Sequence, residues 1–395
     1  MAEDERPYQP SLPWRITSAA TLGTVGFLCR SFLYTLSRTE VHGLDQFLQV
    51  LDEREDEQGR TRGLVTVSNH VSILDDPLMW GALPHRYFWK PNNMRWSMGS
   101  YDICFQNSIV SAFFSFGNTL PTHRSAHSKF GGLFQPTMTE CIRLLSDPHG
   151  SRSPSASSSK EDIHFSSLPA SDPFSSAQLT YTTNGYDTFP APSAYPLRRH
   201  TWVHIFPEGM IHQHPSRVMR YFKWGIARLI LESEPCPDVI PIWIDGPQHV
   251  MDNERTWPRF LPRVGKDVTI AFGERVNREL LLEPFRERWR ELKERVKRKA
   301  VHEGSNLKGL PLETLGVVAD DELRYGREAQ QLRIEVTLAL RDEVLKLRRQ
   351  FGLPDEDPKR SLADCYREEG ELGRDGFGDI HGVKKLHDGS TTKEE

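Results

Sequence analysis

The chain has 395 residues, 37% of them hydrophobic, enough for one large core or two small ones. Its net charge is −4 with 26% charged residues, so it carries no global basic field and nucleic-acid binding is not expected. The five cysteines, Cys29, Cys104, Cys141, Cys236 and Cys365, are scattered without C-x-x-C or Cys/His zinc spacing, which argues against a disulfide framework and against a metal site.

Residues 1–11 are read as a disordered N-terminus. Their acidic start lacks the basic n-region of a secretory signal and the Arg-rich, acid-poor character of a transit peptide, so no cleavable targeting segment is expected. Residues 12–37 are apolar but interrupted by Arg15, Arg30 and small polar side chains, so a simple spanning helix is not indicated. Trp14 and Arg15 at one end, with Tyr34 and Arg38 near the other, suit a helix lying in or dipping into a membrane interface.

A folded domain is expected in two parts, 38–146 and 200–352. After a charged link at 51–56, Leu64-Val65-Thr66-Val67 reads as a buried strand. Ser72-x-x-Asp75 is close to a capping box, and Asp75-Asp76-Pro77 suits a first helical turn. Within one helix, His70 and Asp75 would point about 140° apart at 3.6 residues per turn. Across a strand-to-helix turn they can converge. An imidazole with a carboxylate on one ring nitrogen is the arrangement that takes a proton from an attacking hydroxyl.

Further along, residues 84–96 are aromatic and basic and fit either a headgroup contact or a rim of the core. Residues 111–120 read as a second buried element ending in a glycine turn at Gly117, and the next loop places Arg124, whose planar guanidinium suits a phosphate oxyanion. A helix is predicted over 137–145 with Met138, Cys141, Ile142 and Leu145 on one face. Residues 147–199 are dominated by Ser, Pro and small side chains and are read as a disordered insertion.

Order is expected to return with a strand at 201–206, ending in Phe206-Pro207-Glu208-Gly209, where open α/β sheets bind ligands. Glu208 there suits a bond to a substrate hydroxyl or to a neighbouring Arg. The stretch 219–232 reads as a short apolar helix with basic aromatic shoulders, open to two uses: membrane contact or core packing. Strands are predicted at 239–244 and 267–275, long amphipathic helices at 278–300 and 323–351, and a disordered charged tail over 353–395.

Four blocks stand in order: Asn69-His70-x4-Asp75, the Gly117–Arg124 turn, Phe206-Pro207-Glu208-Gly209, and Val239-Ile240-Pro241. Together they resemble the glycerolipid acyltransferase family with its His-x4-Asp motif, over roughly Ser68 to Val276 outside the insertion. Within that family the resemblance is greatest to the tafazzin branch, fungal members in particular, through residues 68–81, 95–107 and 219–232. CoA-dependent members usually carry Thr-Arg after Phe-Pro-Glu-Gly; here Met210-Ile211 follow, which fits that branch.

The resemblance implies an α/β domain, a mixed sheet flanked by helices, with membrane-interfacial helices at 12–37 and 221–232. It implies a phospholipid–lysophospholipid transacylase that remodels cardiolipin from monolysocardiolipin, independent of cofactor and metal. Its expected place is the mitochondrial inner and outer membrane surfaces facing the intermembrane space. His70 would be the general base and Asp75 its orienting carboxylate. Arg124, Gly117, Phe206, Pro207, Glu208 and Gly209 would hold substrate, with backbone donors near Gly117 or Gly209 stabilising an oxyanion. The alternatives are a CoA-dependent lysophospholipid acyltransferase with the same dyad, and a non-catalytic membrane-organising protein.

Overall fold

The structure, a computed structural model, describes residues 9–125, 127–149, 179–302, 314–362, 383–385 and 391–393. In chain order these form α1 (Leu12–Ser31) with a closing π turn (Phe32–Leu36), β1 (Arg38–His42), α2 (Leu44–Glu53), β2 (Leu64–Ser68) and α3 (Asp75–Gly81). There follow β3 (Trp96–Ser100), the short α4 (Tyr101–Cys104), α5 (Ser108–Phe116), β4 (Thr119–Thr122) and α6 (Pro136–Leu145). After the insertion come β5 (Thr180–Tyr181), β6 (Phe189–Pro190), β7 (Trp202–Ile205), α7 (Gly225–Glu232), β8 (Asp238–Asp245), α8 (Pro247–Val250) and β9 (Asp267–Phe272). The rest is helical, α9 (Arg278–Leu281), α10 (Glu283–His302), α11 (Asp321–Tyr325) and α12 (Arg327–Gln350), before a final β10 (Val383–Lys385) and β11 (Thr391–Lys393).

The main sheet has seven strands in the order β1-β9-β8-β2-β7-β3-β4. Neighbours pair in parallel except β8 with β9, so five strands run one way and β9 and β1 the other. This is the mixed sheet expected from the sequence. Alternation along each strand supplies two apolar faces. Val65, Val67, Val203, Ile205, Val239 and Trp243 enter one core with α6, α7, α10 and α12. Leu64, Trp202, Ile240, Ile242 and Ile244 enter the other with α2 and α3. Both central faces are therefore covered, as a mostly parallel sheet requires.

The four predicted strands and the 137–145 helix are present. Three edge-proximal strands, β1, β3 and β4, carry too few apolar residues to be read as strands. Pro121 in β4 is tolerated because that strand is an edge. Residues 111–120 are not one buried element: they are the end of α5, which buries none of its side chains, followed by β4.

The N-terminal segment Leu12–Leu36 is one helix long and apolar enough, by length and composition alone, to cross a membrane. It lies across α3 and α5, with Gly26 so near Phe88 that an added Cβ would come within 2.7 Å of the ring. Leu12, Ile16, Phe27 and Leu28 face outward.

The second proposed membrane helix is a core helix instead. In α7, Ile226, Ala227, Arg228, Leu229, Ile230 and Leu231 are all buried, and Arg228 is bound to Glu232 and to the carbonyls of Leu133 and Gly316. The insertion and tail also shrink from their expected bounds. Residues 179–199 fold into the β5–β6 pair and bury Tyr181, Ala191 and Ala194, while 150–178 lie outside the described residues. In the tail, Glu356 is buried in an ion pair with Arg341 at 2.6 Å. Met1 to Tyr8, and most of 363–395, also lie outside the described residues.

Leu229→Ala or Ile230→Ala should lower the unfolding free energy by about 2–5 kcal/mol in urea titrations. Phe113→Ser, on the half-exposed α5, should change it by no more than about 0.5 kcal/mol. A membrane-facing α7 would reverse that order.

Candidate active site

β2 ends at Ser68, and Asn69 fastens the turn that follows to β8. Its side chain accepts from Ile244 N–H at 2.9 Å and donates to Ile244 C=O at 2.8 Å. The predicted cap is present in modified form. Asp75 reaches back to accept the N–H of Ser72 at 2.8 Å, while the Ser72 hydroxyl accepts from Leu74 N–H at 3.3 Å. The same oxygen, Asp75 Oδ2, accepts Val71 N–H at 2.5 Å and lies 2.8 Å from His70 Nδ1. The turn thus bends His70 onto Asp75, the convergence expected from the spacing.

Asp75 is fully buried and His70 is one-fifth exposed at its side chain. An ionised carboxylate only accepts, so Nδ1 carries the proton toward Asp75 and Nε2 presents its lone pair. Among the described residues Nε2 has no hydrogen-bond partner. Burial raises the carboxyl of Asp75, opposed by His70 and by the Val71 and Ser72 N–H groups. Its other oxygen, Oδ1, is buried without a hydrogen-bond partner among the described residues.

Phe206 stacks on the His70 ring at 4.2 Å between centroids, and Glu208 lies beneath the same turn. Glu208 Oε1 accepts His70 N–H at 2.8 Å and Oε2 accepts Arg220 N–H at 2.9 Å. Burial raises its carboxyl as well. Both oxygens are used in holding backbone, so Glu208 acts here as a brace. The Pro207 carbonyl accepts Lys223 N–H at 2.8 Å. Gly209 adopts φ +68°, and a Cβ there would sit 3.0 Å from Lys223 Cδ and Cε, so glycine lets the lysine chain pass.

His70, Asp75, Phe206, Pro207, Glu208 and Gly209 are therefore brought together at the C-terminal ends of β2 and β7. Arg124 and Gly117 are not in this group. Arg124 follows β4 at the same end of the sheet, but three strands from β2, about 14 Å at sheet spacing. Its guanidinium is paired with Asp102. Gly117 precedes β4, at the opposite end of the parallel strands, and its N–H is donated to Phe113 C=O. The Gly209 N–H is donated to Phe206 C=O at 3.0 Å. Both amides suggested as oxyanion donors are thus engaged within the chain.

Several contributors were not legible in advance. The His212 N–H donates to His70 C=O at 2.8 Å, and the Gln213 amide donates to Val71 C=O at 2.9 Å, so the loop after Gly209 grips the His70 turn from outside. Asp76, next to Asp75, is ion-paired with the buried Arg95, which also donates to Gly117 C=O. Two cations of the same connection lie nearby: Arg217 bonds Asp245 at 2.8 Å and Arg220 lies against Met210 Sδ. No short-range pattern links residues so far apart in sequence; only Asn69, beside His70, carried a local signal.

A family model described as Acyltransferase matches residues 38–149. The chain is 33% identical over 355 residues to the tafazzin of Saccharomyces cerevisiae, covering 88% of this chain and 81% of the relative. It is 27% identical over 265 residues to the tafazzin of Drosophila melanogaster, covering 67% and 53% respectively. An N-acylphosphatidylethanolamine synthase of Arabidopsis thaliana is 29% identical over 242 residues, covering 60% and 63%.

A buried carboxyl raised on folding binds its proton more tightly in the folded chain than in the unfolded one. Its ionisation therefore weighs against stability as pH rises through the folded value, and the weight eases as pH falls. Asp75→Asn should accordingly fold within about 1 kcal/mol of the parent at neutral pH, or above it. Acyl transfer should nonetheless fall by about 10³-fold or more, because the imidazole loses its orienting charge. Thermal melts beside initial rates measure both.

Proposed function

Because this chain belongs to the tafazzin family of acyltransferases, we propose that it is a CoA-independent phospholipid–lysophospholipid transacylase that remodels cardiolipin acyl chains. The observation that carries the reading is the His70–Asp75 pair, closed at 2.8 Å with Nε2 left open beside Phe206. Support for independence from CoA comes from Met210-Ile211, where CoA-dependent relatives carry a basic residue after Phe-Pro-Glu-Gly. The proposed location is the mitochondrial membrane surfaces facing the intermembrane space, with 12–37 as the attachment segment.

In this mechanism the free hydroxyl of a lysophospholipid such as monolysocardiolipin is presented to His70 Nε2. The imidazole takes its proton as the oxygen adds to the ester carbonyl of a second phospholipid. Asp75, already bound to Nδ1–H, balances the imidazolium that forms. The tetrahedral intermediate then collapses, and His70 returns the proton to the leaving glycerol alkoxide. The attacking and leaving groups are both glycerol hydroxyls, so the reaction runs near equilibrium in either direction. Neither a metal nor an acyl-enzyme is needed for this sequence, and the chain carries no Gly-x-Ser-x-Gly elbow.

The test is acyl transfer from labelled phosphatidylcholine to monolysocardiolipin in vesicles without CoA, run beside His70→Ala. Transfer by the parent and its loss by at least about 10³-fold in the variant is the expected result. Transfer that begins only on adding acyl-CoA would replace this reading with the CoA-dependent one. Transfer that survives in His70→Ala would remove the dyad from the chemistry.

A further inference from the structure

With α7 buried, the chain has a second outward-facing apolar element elsewhere. The loop joining α8 to β9 exposes Trp257 by 84%, Phe260 by 73%, Val264 by 60% and Leu261 by 47%. Four large apolar side chains within eight residues, all turned to solvent, exceed what scattered surface hydrophobes account for. We propose that the loop 255–266 is a bilayer-docking element that inserts these side chains into an anionic lipid surface. This goes beyond the proposed activity, and its test reads binding separately from acyl transfer.

Charge selects the partner. Arg255, Arg259, Arg263 and Lys266 are interleaved with the apolar side chains, against Asp252 and Glu254 just before the loop and Asp267 just after it. Asp267 is already paired with Arg38. Among the described residues the three guanidinium groups bond to main-chain carbonyls and to no carboxylate. Arg255 donates to Asp252 C=O at 2.6 Å and to Arg259 C=O, Arg259 to Asn253 C=O at 3.0 Å, and Arg263 to Thr256 C=O at 2.5 Å. Their positive charge is left available for lipid phosphates. The same bonds satisfy carbonyls that would otherwise resist transfer out of water. Aromatic side chains beside Arg at one level are the pairing that suits the headgroup boundary.

Position supports the same partner. The Gly265 N–H donates to Leu36 C=O at 2.6 Å, and the Arg38 N–H donates to Lys266 C=O at 2.9 Å. The loop is thereby stitched to the end of the apolar N-terminal segment, where Tyr34 and Leu36 are also exposed. It leads into β9 at the end of the sheet where β2, β7 and β8 finish, which is the end that carries His70. Docking here holds the catalytic edge, not the opposite one, at the lipid surface.

The experiment is co-sedimentation of the full chain with phosphatidylcholine vesicles, with and without added anionic phospholipid, for the parent and for Trp257→Ser/Phe260→Ser. The double variant should bind anionic vesicles about tenfold or more weakly. Its thermal midpoint should be unchanged, since both side chains are already exposed. Added salt should weaken parent binding to anionic vesicles and leave the weaker binding to neutral ones unaffected. Transfer between detergent-dispersed substrates should be retained while transfer between vesicle lipids falls. Unchanged vesicle binding would overturn the proposal and leave the loop as a surface for some other partner. Equal loss of transfer on dispersed and vesicle substrates would also overturn it, by placing the loop in the chemistry instead of in docking.

Discussion

Glu208 carries a buried carboxylate whose two oxygens each accept a main-chain N–H, one from His70 and one from Arg220. The first belongs to the turn after β2, the second to the long connection between β7 and α7. Ionised oxygens make strong acceptors, and burying them is tolerated only because both are used. The effect is to join two segments that no regular ladder connects. His70 thus has its backbone fixed by Glu208 and its ring fixed by Asp75, with Nε2 left outside both contacts. A brace of this kind has little freedom to be replaced: a shorter carboxylate would not span the gap, and an amide would turn a donor toward one of the two N–H groups.

The Arg220 end of that brace is held in turn by the C-terminal helix. Arg333, Arg341 and Arg348 are buried along α12 and spend their guanidinium donors on main-chain carbonyls, Arg333 on those of α11 and the other two on neighbouring loops. Arg341 takes the carbonyls of Met219 and Arg220, and Arg348 takes those of Ser216 and Arg217. Glu356 closes the array, bonding Arg341 and accepting Met219 N–H at 2.7 Å. Buried ion pairs add little net stability, since desolvation offsets attraction, but they fix one arrangement among several. The arrangement fixed here is the path of 216–220, and with it the N–H that Glu208 needs.

Behind the His70 imidazole lies a layer that keeps its own charge low. His204 is wholly buried, bonds Thr66 Oγ1 at 2.9 Å, and burial pushes it down to about 3, so it stays neutral. Phe206 stands between it and His70, touching both rings. Asp76 is only partly buried and is held ionised by Arg95, which keeps its carboxyl below the usual range. Two adjacent acids, Asp75 and Asp76, thus differ in role because their partners differ: a titratable imidazole for one, a permanent guanidinium for the other.

The sequence by itself determined the central strands, the dyad and the order of the blocks around it. Those features rest on short-range rules: runs of apolar β-branched residues make β2, β7 and β8, and a His and an Asp five apart can converge across a strand-to-helix turn. It also marked 12–37 as apolar with interfacial ends. Only the tertiary structure decided which apolar stretches face solvent. The run at 226–231 and the loop around Trp257 and Phe260 are both apolar with basic neighbours, yet the first is enclosed by helices and the second is bare. Burial depends on what other segments arrive, which no local pattern encodes. The same reason moved Arg124 away from His70, while Gly117 stands at the opposite end of the parallel strands. Strand order, not sequence order, sets distance at the sheet's edge, and β4 lies three places from β2.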